Sequence, residues 1–382
     1  MKILAIETSC DDTCAAVLEN DRILANIISS QVDLYEKWGG VVPDIAKRAH
    51  MERIEPVIIE ALRRSNPSVN KLTSPLKKGR NLNNMDELMK DIDVIGVTQG
   101  PGLAIALGIG VNKAKELSKK YNKKLVAVNH IEGHLMANLL KNKQGKPERK
   151  VEFPALALTA SGGHTKIILM KNPSVSTKVA TAPLDEREPL KQKIIYEVIG
   201  ETLDDAAGEA LDKAAKMLGL GYPGGPIMER LAKTGDINFL ELPRPLADKK
   251  ILDFSFSGLK TSFYYKIKDW DKERIFKNIN NLAASFQNAV FDSLLRKFKL
   301  AIEKYEPKTL LASGGVLSNL ELRKILRKLA KEKNLPIWMP AKKELNTDNA
   351  AMIGMVTYQK ALRKEFVEDI DSLDRDPRLN FS

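Results

Sequence analysis

The chain has 382 residues, 43% of them hydrophobic, which is more than one ordinary core needs and suits two lobes. Its 61 basic against 49 acidic residues leave a formal charge of +12, a surplus that favours an anionic partner, nucleic acid first among them. Two cysteines, Cys10 and Cys14, exclude a disulfide framework. MKILAIETS opens straight into strand without a signal peptide, and no run reaches about 18 apolar residues, so a cytoplasmic protein with no membrane span is expected.

Residues 3–8 read as a strand that breaks into the polar turn SCDDT, with further short strands at 14–19 and 22–28. From Pro43 the sequence AKRAHMERIEPVIIEALRR has helical period, with Ile45, Ala49, Ile54, Val57, Ile58 and Ala61 on one side. His50 in this basic helix reads as a surface residue. Residues 66–90 are polar, poorly periodic and basic in the middle, an inserted loop. DVIGVTQGPG is a strand and glycine turn that enters the helix LAIALGIGVNKAKELSKKY, and KLVAVNH is a buried strand leading into a histidine helix. KNKQGKPERK (141–150) is a charged linker. Beyond it, FPALALTASGGHTKIILM repeats the design of the N-terminus: strand, small polar turn, strand. LLASGGVLSNLELRKILRKLA is a third such unit, whose turn feeds a helix. The expected architecture is α/β, two similar lobes with glycine turns aimed at a central cleft, an internal duplication. The first lobe is placed at 1–128, with a helix at about 349–366 packing back on it, the second at 129–348, and 367–382 is an unpatterned tail.

Four glycine turns follow strands: TQGPG (98–102), ASGGH (160–164), YPGGP (222–226) and ASGGV (312–316). Such turns expose backbone N–H groups that can cradle phosphate, although tight α/β loops need glycine in any case. None fits GxxxxGK[ST], and none gives GxGxxG in a strand–turn–helix setting, which excludes a standard P-loop or dinucleotide site. GETLDDAAGEALDKAAKMLGLGYPGGP reads as a helix carrying Asp204, Asp205, Glu209 and Asp212. Asp212 is positioned to meet a ribose, or the row is a solvated acidic face.

In NHIEGH, His130 and His134 stand one helical turn apart, so both can reach one metal ion, or they merely flank a helix start. A zinc protease needs glutamate directly after the first histidine. Glu132 is one position late, turned about 100° around the helix and off that face. Asp348, before a helix, offers a third ligand or a plain N-cap. His164 ends the ASGGH turn and can reach the same cleft.

These motifs together resemble the tRNA adenosine threonylcarbamoyltransferase family, formerly described as O-sialoglycoprotein endopeptidases. The matching segments run in order over most of the chain: IETSCDDT, GGVVPDIAKRAH, VTQGPGL, NHIEGH, ASGGHT, GETLDDAAGEALDK, YPGGP, FSFSGLKT, AASFQNAV, ASGGVLSN and TDNAAMIG. The resemblance implies the two-lobed fold of actin, Hsp70 and sugar kinases with a nucleotide cleft. It implies one divalent metal on His130, His134 and Asp348, iron or zinc being the usual occupants. It places an adenylate against Thr159, Ala160, Ser161, Gly162, Gly163, Asp212, Gly225 and Asn319, and brings Asp11 to the active site as a candidate base. It implies transfer of threonylcarbamoyl from threonylcarbamoyl-AMP to the exocyclic amine of the adenosine 3′ to the anticodon in tRNAs reading ANN codons. The helpers of the bacterial branch, which the segments resemble more closely, are a metal-free paralogue and a small ATPase. Lys260 and the basic stretch Lys71, Lys77, Lys78 and Arg80 are candidate contacts to the tRNA anticodon stem-loop.

Departures from the family pattern are the long 66–90 loop, the extended 141–153 segment, Glu229 where some relatives carry aspartate, and the tail. Competing readings are a metallopeptidase, which the displaced Glu132 opposes; a sugar or acetate kinase, which has no use for the metal triad; and a non-catalytic scaffold.

Overall fold

The computed structural model describes residues 1–35, 37–38, 40–66, 85–172, 193–247 and 250–381. The candidate tRNA contacts Lys71, Lys77, Lys78 and Arg80 lie outside them. The apolar run of β1 (Lys2–Glu7) is the centre of the first sheet. It pairs antiparallel with β2 (Asp12–Glu19), which turns into β3 (Arg22–Ser30), and parallel with β4 (Val94–Gly100), beside which lies β5 (Lys124–Asn129). The strand order is β3-β2-β1-β4-β5. Helices α1 (Val32–Tyr35), α2 (Pro43–Ser65), α3 (Met85–Met89) and α4 (Ala104–Tyr121) make the connections, and α5 (His130–Met136) leaves from the end of β5.

The second sheet repeats the plan. Its centre is β6 (Ala155–Ala160), antiparallel to β7 (Thr165–Lys171), which pairs with β8 (Ile195–Glu201), and parallel to β9 (Thr309–Ser313), next to β10 (Ile337–Trp338). The order β8-β7-β6-β9-β10 is that of the first sheet with every strand advanced by five. The duplication expected from the turns is therefore present strand for strand. Helices α6 (Ala207–Met217), α7 (Gly224–Ala232), α8 (Ser257–Ile267), α9 (Lys272–Lys277) and α10 (Ile279–Tyr305) precede β9. Helix α11 (Leu320–Glu332) lies between β9 and β10, and α12 (Ala350–Leu362) follows β10.

Both faces of the central strands of each sheet are buried, so their period-two alternation sorts side chains between two layers. Leu4 and Ile6 face an outer layer with Ile54, Ile58 and Val111 of α2 and α4. Ile3 and Ala5 face an inner layer that also receives Ala155 and Ala157 of β6, Ile131 and Leu135 of α5, and Met352 and Met355 of α12. Leu156 and Leu158 face a second outer layer with Phe263, Phe286 and Phe298. Helices α5 and α12 thus form the filling between the two sheets.

Helix α12 is apolar nearly all round, and buried so. It lies close against the first sheet because small residues allow it: a Cβ on Gly354 would stand 2.4 Å from Leu18 Cδ1. The chain beyond α12 then runs back along the first lobe. Val367 N donates to Leu125 O at 2.8 Å and Asp376 N to Gln99 O at 2.8 Å. Asn129 Nδ2 donates to Leu379 O, and Phe381 ends against Tyr196 on β8 of the other sheet, ring centroids 5.1 Å apart.

Several expectations about local structure need correction. Residues 85–89 of the expected 66–90 loop form α3, and YPGGP follows α6, not a strand. Asp204 and Asp205 precede α6 instead of riding on it: Asp204 accepts from Phe256 N and Ser257 N at the start of α8, and Asp205 binds Lys213 and Lys260. Acidic side chains in such a run favour capping and pairing over helix interior. Lys260, a candidate tRNA contact, is therefore held by Asp205 at 2.6 Å. His50 is fully buried, its ring between Thr13 Oγ1 at 2.8 Å and Cys10 O at 3.0 Å.

Gly354→Val forces overpacking between α12 and β2. It is expected to lower stability by ~1–3 kcal/mol in chemical denaturation, with secondary structure retained.

Candidate metal centre and nucleotide cleft

Asn129 caps α5, its Oδ1 accepting from Ile131 N at 2.9 Å and Glu132 N at 3.2 Å. That cap fixes the first turn, which carries His130, and brings His134 onto the same face one turn later. Asp348 stands just before α12. Its Oδ1 lies 3.2 Å from His134 Nε2 and 3.5 Å from His130 Nε2, and one donor atom from each of the three residues falls within 4.8 Å of the others. Two ligands held ~2.0–2.1 Å from one tetrahedral ion stand about 3.3 Å apart, so the 3.2 and 3.5 Å spacings from Asp348 suit a shared metal. A second observation agrees. His134 is fully buried, and neither ring nitrogen has a hydrogen-bond partner among the described residues, although Nε2 stands near Asp348. A buried imidazole without partners is costly unless something else takes its lone pair.

Glu7, at the end of β1, belongs to the site although no motif in the sequence singles it out. Its Oε2 lies 3.0 Å from His130 Nδ1 and accepts from Thr98 Oγ1 at 2.5 Å, while Oε1 takes the Ser9 N–H. Ser9 Oγ stands 3.1 Å from the same His130 nitrogen. The carboxylate orients the ring so that Nε2 faces His134 and Asp348. Burial works against charge on both groups. It is outweighed in each: His130 is lifted to about 9 by Glu7 and Asp348, and Glu7 is held below the usual carboxylate range by His130. The signal for Glu7 in the sequence is a carboxylate ending an otherwise apolar central strand.

Glu132 is turned away from the donor set. Its Oε1 accepts from Tyr196 Oη at 3.2 Å, and its Oε2 lies 3.9 Å from Lys360 Nζ. His164 lies beside the centre, its ring 6.4 Å from that of His130. Burial, then the charges of His130 and Lys166, depress it to about 3, so it is neutral.

The glycine turns separate into open and closed. TQGPG is covered by the tail: Pro377 O accepts from Gly102 N, and Asp376 packs on Gly100. The two ASGG turns lie side by side because β6 and β9 pair, Thr159 opposite Ser313. Gly314 adopts φ +100°, and a Cβ there would strike Ala160 O at 2.4 Å. Gly162, Gly163 and Gly225 have nothing within 4 Å of a built Cβ and border open space. Ser161 closes its turn through His164, and Ala160 is buried. Thr159 Oγ1, Ser313 Oγ and Ser318 Oγ are buried without partners among the described residues. Asp212 Oδ1 accepts from Gly224 N at 2.8 Å and Gly225 N at 3.1 Å, which fixes the YPGGP turn. Asn319 caps α11 through Glu321 N and Leu322 N and donates to Gln287 Oε1 at 2.8 Å, so most of its amide is engaged within the protein. Glu229 Oε1 accepts from Leu320 N at the same helix start.

Asp11 ends the turn after β1 and Asp12 begins β2. Burial raises both carboxyls, Asp348 adding to Asp11 and Asp11 to Asp12, which reaches about 7. Asp11 lies close enough to Asp212 and Tyr222 of the second lobe for its charge to add to burial in raising both, as that of Asp348 does for Asp11.

This arrangement meets its relatives at the level of whole chains. A profile of tRNA N6-adenosine threonylcarbamoyltransferases matches residues 22–74, 80–185 and 190–355. The chain belongs to this family. The tRNA N6-adenosine threonylcarbamoyltransferase of Thermosipho africanus is 41% identical over 379 residues, 99% of each chain. That of Bacillus subtilis is 41% identical over 95% of this chain and 92% of its own. Among solved structures, HypF of T. kodakarensis superposes with a TM-score of 0.53 at 14% identity, over 94% of this chain and 47% of that one. This second likeness is one of fold. It agrees with the two-lobed, duplicated sheets described above.

Two outcomes are expected. Glu7→Gln removes the carboxylate that orients His130 and lowers metal affinity ~10–100-fold in titration of the stripped protein. Asp12 has a raised pKa in the folded protein, so the native state binds the extra proton between about pH 4 and 7, and stability falls as pH rises through that window. Asp12→Asn removes this penalty and flattens the profile by an amount on the order of a few kcal/mol, read from denaturant midpoints at pH 5 and 8.

Proposed function

We propose that the chain transfers threonylcarbamoyl from threonylcarbamoyl-AMP to the exocyclic amine of the adenosine 3′ to the anticodon in tRNAs reading ANN codons, releasing AMP. The observation that carries this reading, beside membership of the family, is the donor set His130, His134 and Asp348, with His164 at the end of the open ASGGH turn beside it. His130, His134 and Asp348 would hold a divalent metal, iron or zinc, which would supply a Lewis acid for an oxygen of the donor.

The remaining steps belong to the chain's own residues. Backbone N–H groups around Gly162, Gly163 and Gly225 receive the adenylate, whose sugar and base lie against the backbone of Thr159–Gly163 and the ends of Asp212 and Asn319. The reacting amine is a poor nucleophile because its lone pair is delocalised into the ring. The donor is a mixed anhydride and already activated, so positioning is the main task. The amine nitrogen bonds to the carbamoyl carbon, the bond from that carbon to the phosphate oxygen breaks, and AMP departs with the electron pair. Asp11, whose carboxyl is raised by burial and by the charge of Asp348, takes the proton lost by the amine. A metal-free paralogue and a small ATPase are the proposed helpers, and the cytoplasm the proposed location. No helix among the described residues is long and apolar enough to cross a membrane.

The peptidase reading fails on Glu132. That carboxylate is buried against Tyr196 and Lys360 and cannot activate water at the donor set.

The test is reconstitution with a threonylcarbamoyl-AMP source, helpers and unmodified tRNA, with nucleosides read by mass spectrometry. Wild type forms threonylcarbamoyladenosine. His130→Ala and Asp348→Ala lower product by more than the ~100-fold that removal of a supporting residue costs, and also give up the bound metal. No product from wild type with cognate helpers present would overturn the reading.

A further inference from the structure

At the far end of α5, about 15 Å along the helix and its 3-10 extension from the histidines, the chain emerges into a second cleft. It has a volume of about 990 Å³ and is bounded by β3 of the first lobe, the 140–149 segment, and α11 with β10 of the second lobe. Its lining carries seven basic side chains against one carboxylate, Glu344. Much surface charge is cancelled locally. Lys141 pairs with Asp21, Lys146 with Glu148, and Lys342 with Glu344. The three arginines are different. Among the described residues no carboxylate pairs with Arg149, Arg323 or Arg327.

The arginines also repel one another. Burial lowers Arg323, and the charges of Arg327 and Arg149 lower it further. Arg323 is nearly buried and spends its donors on Leu317 O, Asn346 Oδ1 and Pro340 O. Arg149 donates to Asn138 O at 2.6 Å and lies 5.8 Å from the ring centre of Trp338. Arg327 is exposed. Positive charge gathered in a concave site without counter-charge is unfavourable in the free protein and is relieved by an anion. Guanidinium groups suit phosphate oxygens in particular. The same cleft has apolar lining at Ile23, Leu24 and Trp338, against which an unpaired base can pack.

We infer that this cleft binds the phosphodiester backbone of a single-stranded RNA segment, at a place separate from the metal-bearing cleft. The inference rests on the transferase reading only for the identity of the RNA, a tRNA. An acidic protein segment is the competing occupant. It would satisfy the arginines but gives no use to the apolar wall beside Trp338. One wall of the cleft, Lys342–Leu345, leads directly to Asp348, so an occupied cleft and the metal centre share a loop.

The experiment measures binding of unmodified tRNA and of a short single-stranded oligoribonucleotide to the full chain across a salt series, without helpers or turnover. Arg327→Glu is the primary variant because its side chain is exposed. Arg149→Gln is the second, and thermal unfolding and metal content report whether each is folded. The expected result is about tenfold weaker binding of both RNAs, with the slope of log Kd against log salt reduced by about one for each phosphate that is no longer neutralised. Affinity and slope within twofold of wild type for both folded variants would overturn the inference. So would poly-glutamate binding in an Arg327-dependent way while neither RNA binds. Failure of threonylcarbamoyl transfer with RNA binding intact would sink the proposed function and leave this inference standing.

Discussion

The contact on which the rest of the site depends is the buried pair of Glu7 and His130. Glu7 ends the central strand of the first sheet and His130 begins the helix that fills the space between the sheets, so one short carboxylate–imidazole contact locks strand to helix. Alone, either group would be costly in that interior; together with Thr98 and Ser9 they are mutually satisfied. The ring that results presents its other nitrogen to His134 and Asp348. Strand geometry on one side and helix geometry on the other thereby fix a donor set that neither element could hold alone.

The duplication explains where that set falls. Helix α5 follows the fifth strand of the first sheet, and α12 follows the fifth strand of the second. The two histidines and Asp348 therefore come from the same place in two copies of one plan, where the paired fillings begin. The break after each central strand is a second equivalent place. The first copy places Asp11 there and begins its next strand at Asp12, and the second places the ASGG turn with its open Gly162 and Gly163. One topology repeated twice has acquired different chemistry at each repeat, as expected when function resides in sites and not in fold.

Much of this is legible in the sequence. Strand–turn–strand units at both ends of the repeat mark the lobes, and the spacing of His130 and His134 marks a shared helix face. The displacement of Glu132 correctly separates it from that face. What the sequence leaves hidden depends on partners distant in the chain. Glu7 acquires its role only from a histidine in α5. His50 reads as one more polar residue of a basic helix until Thr13 and a backbone carbonyl enclose it. Asp204 and Asp205 fit a helical pattern, yet α8, some fifty residues later, needs a cap and Lys260 a counter-ion. The TQGPG turn looks like a phosphate cradle, but residues from the tail, some 275 positions on, lie across it. In each case local pattern is overridden by a contact of long sequence separation.

The position of α12 also bears on how the polypeptide reaches this state. The inner face of the first sheet is covered by a helix encoded at residues 350–362, after the entire second lobe. A ribosome supplies β1 to β5 early, but one apolar side of that sheet has no native cover until nearly the whole chain has been made. Domain-by-domain maturation from the N-terminus is therefore closed to this architecture. The second lobe, contiguous in sequence from β6 to β10, is the unit that can consolidate first, and the earlier-made half must wait, shielded or transiently collapsed, for its late-arriving helix.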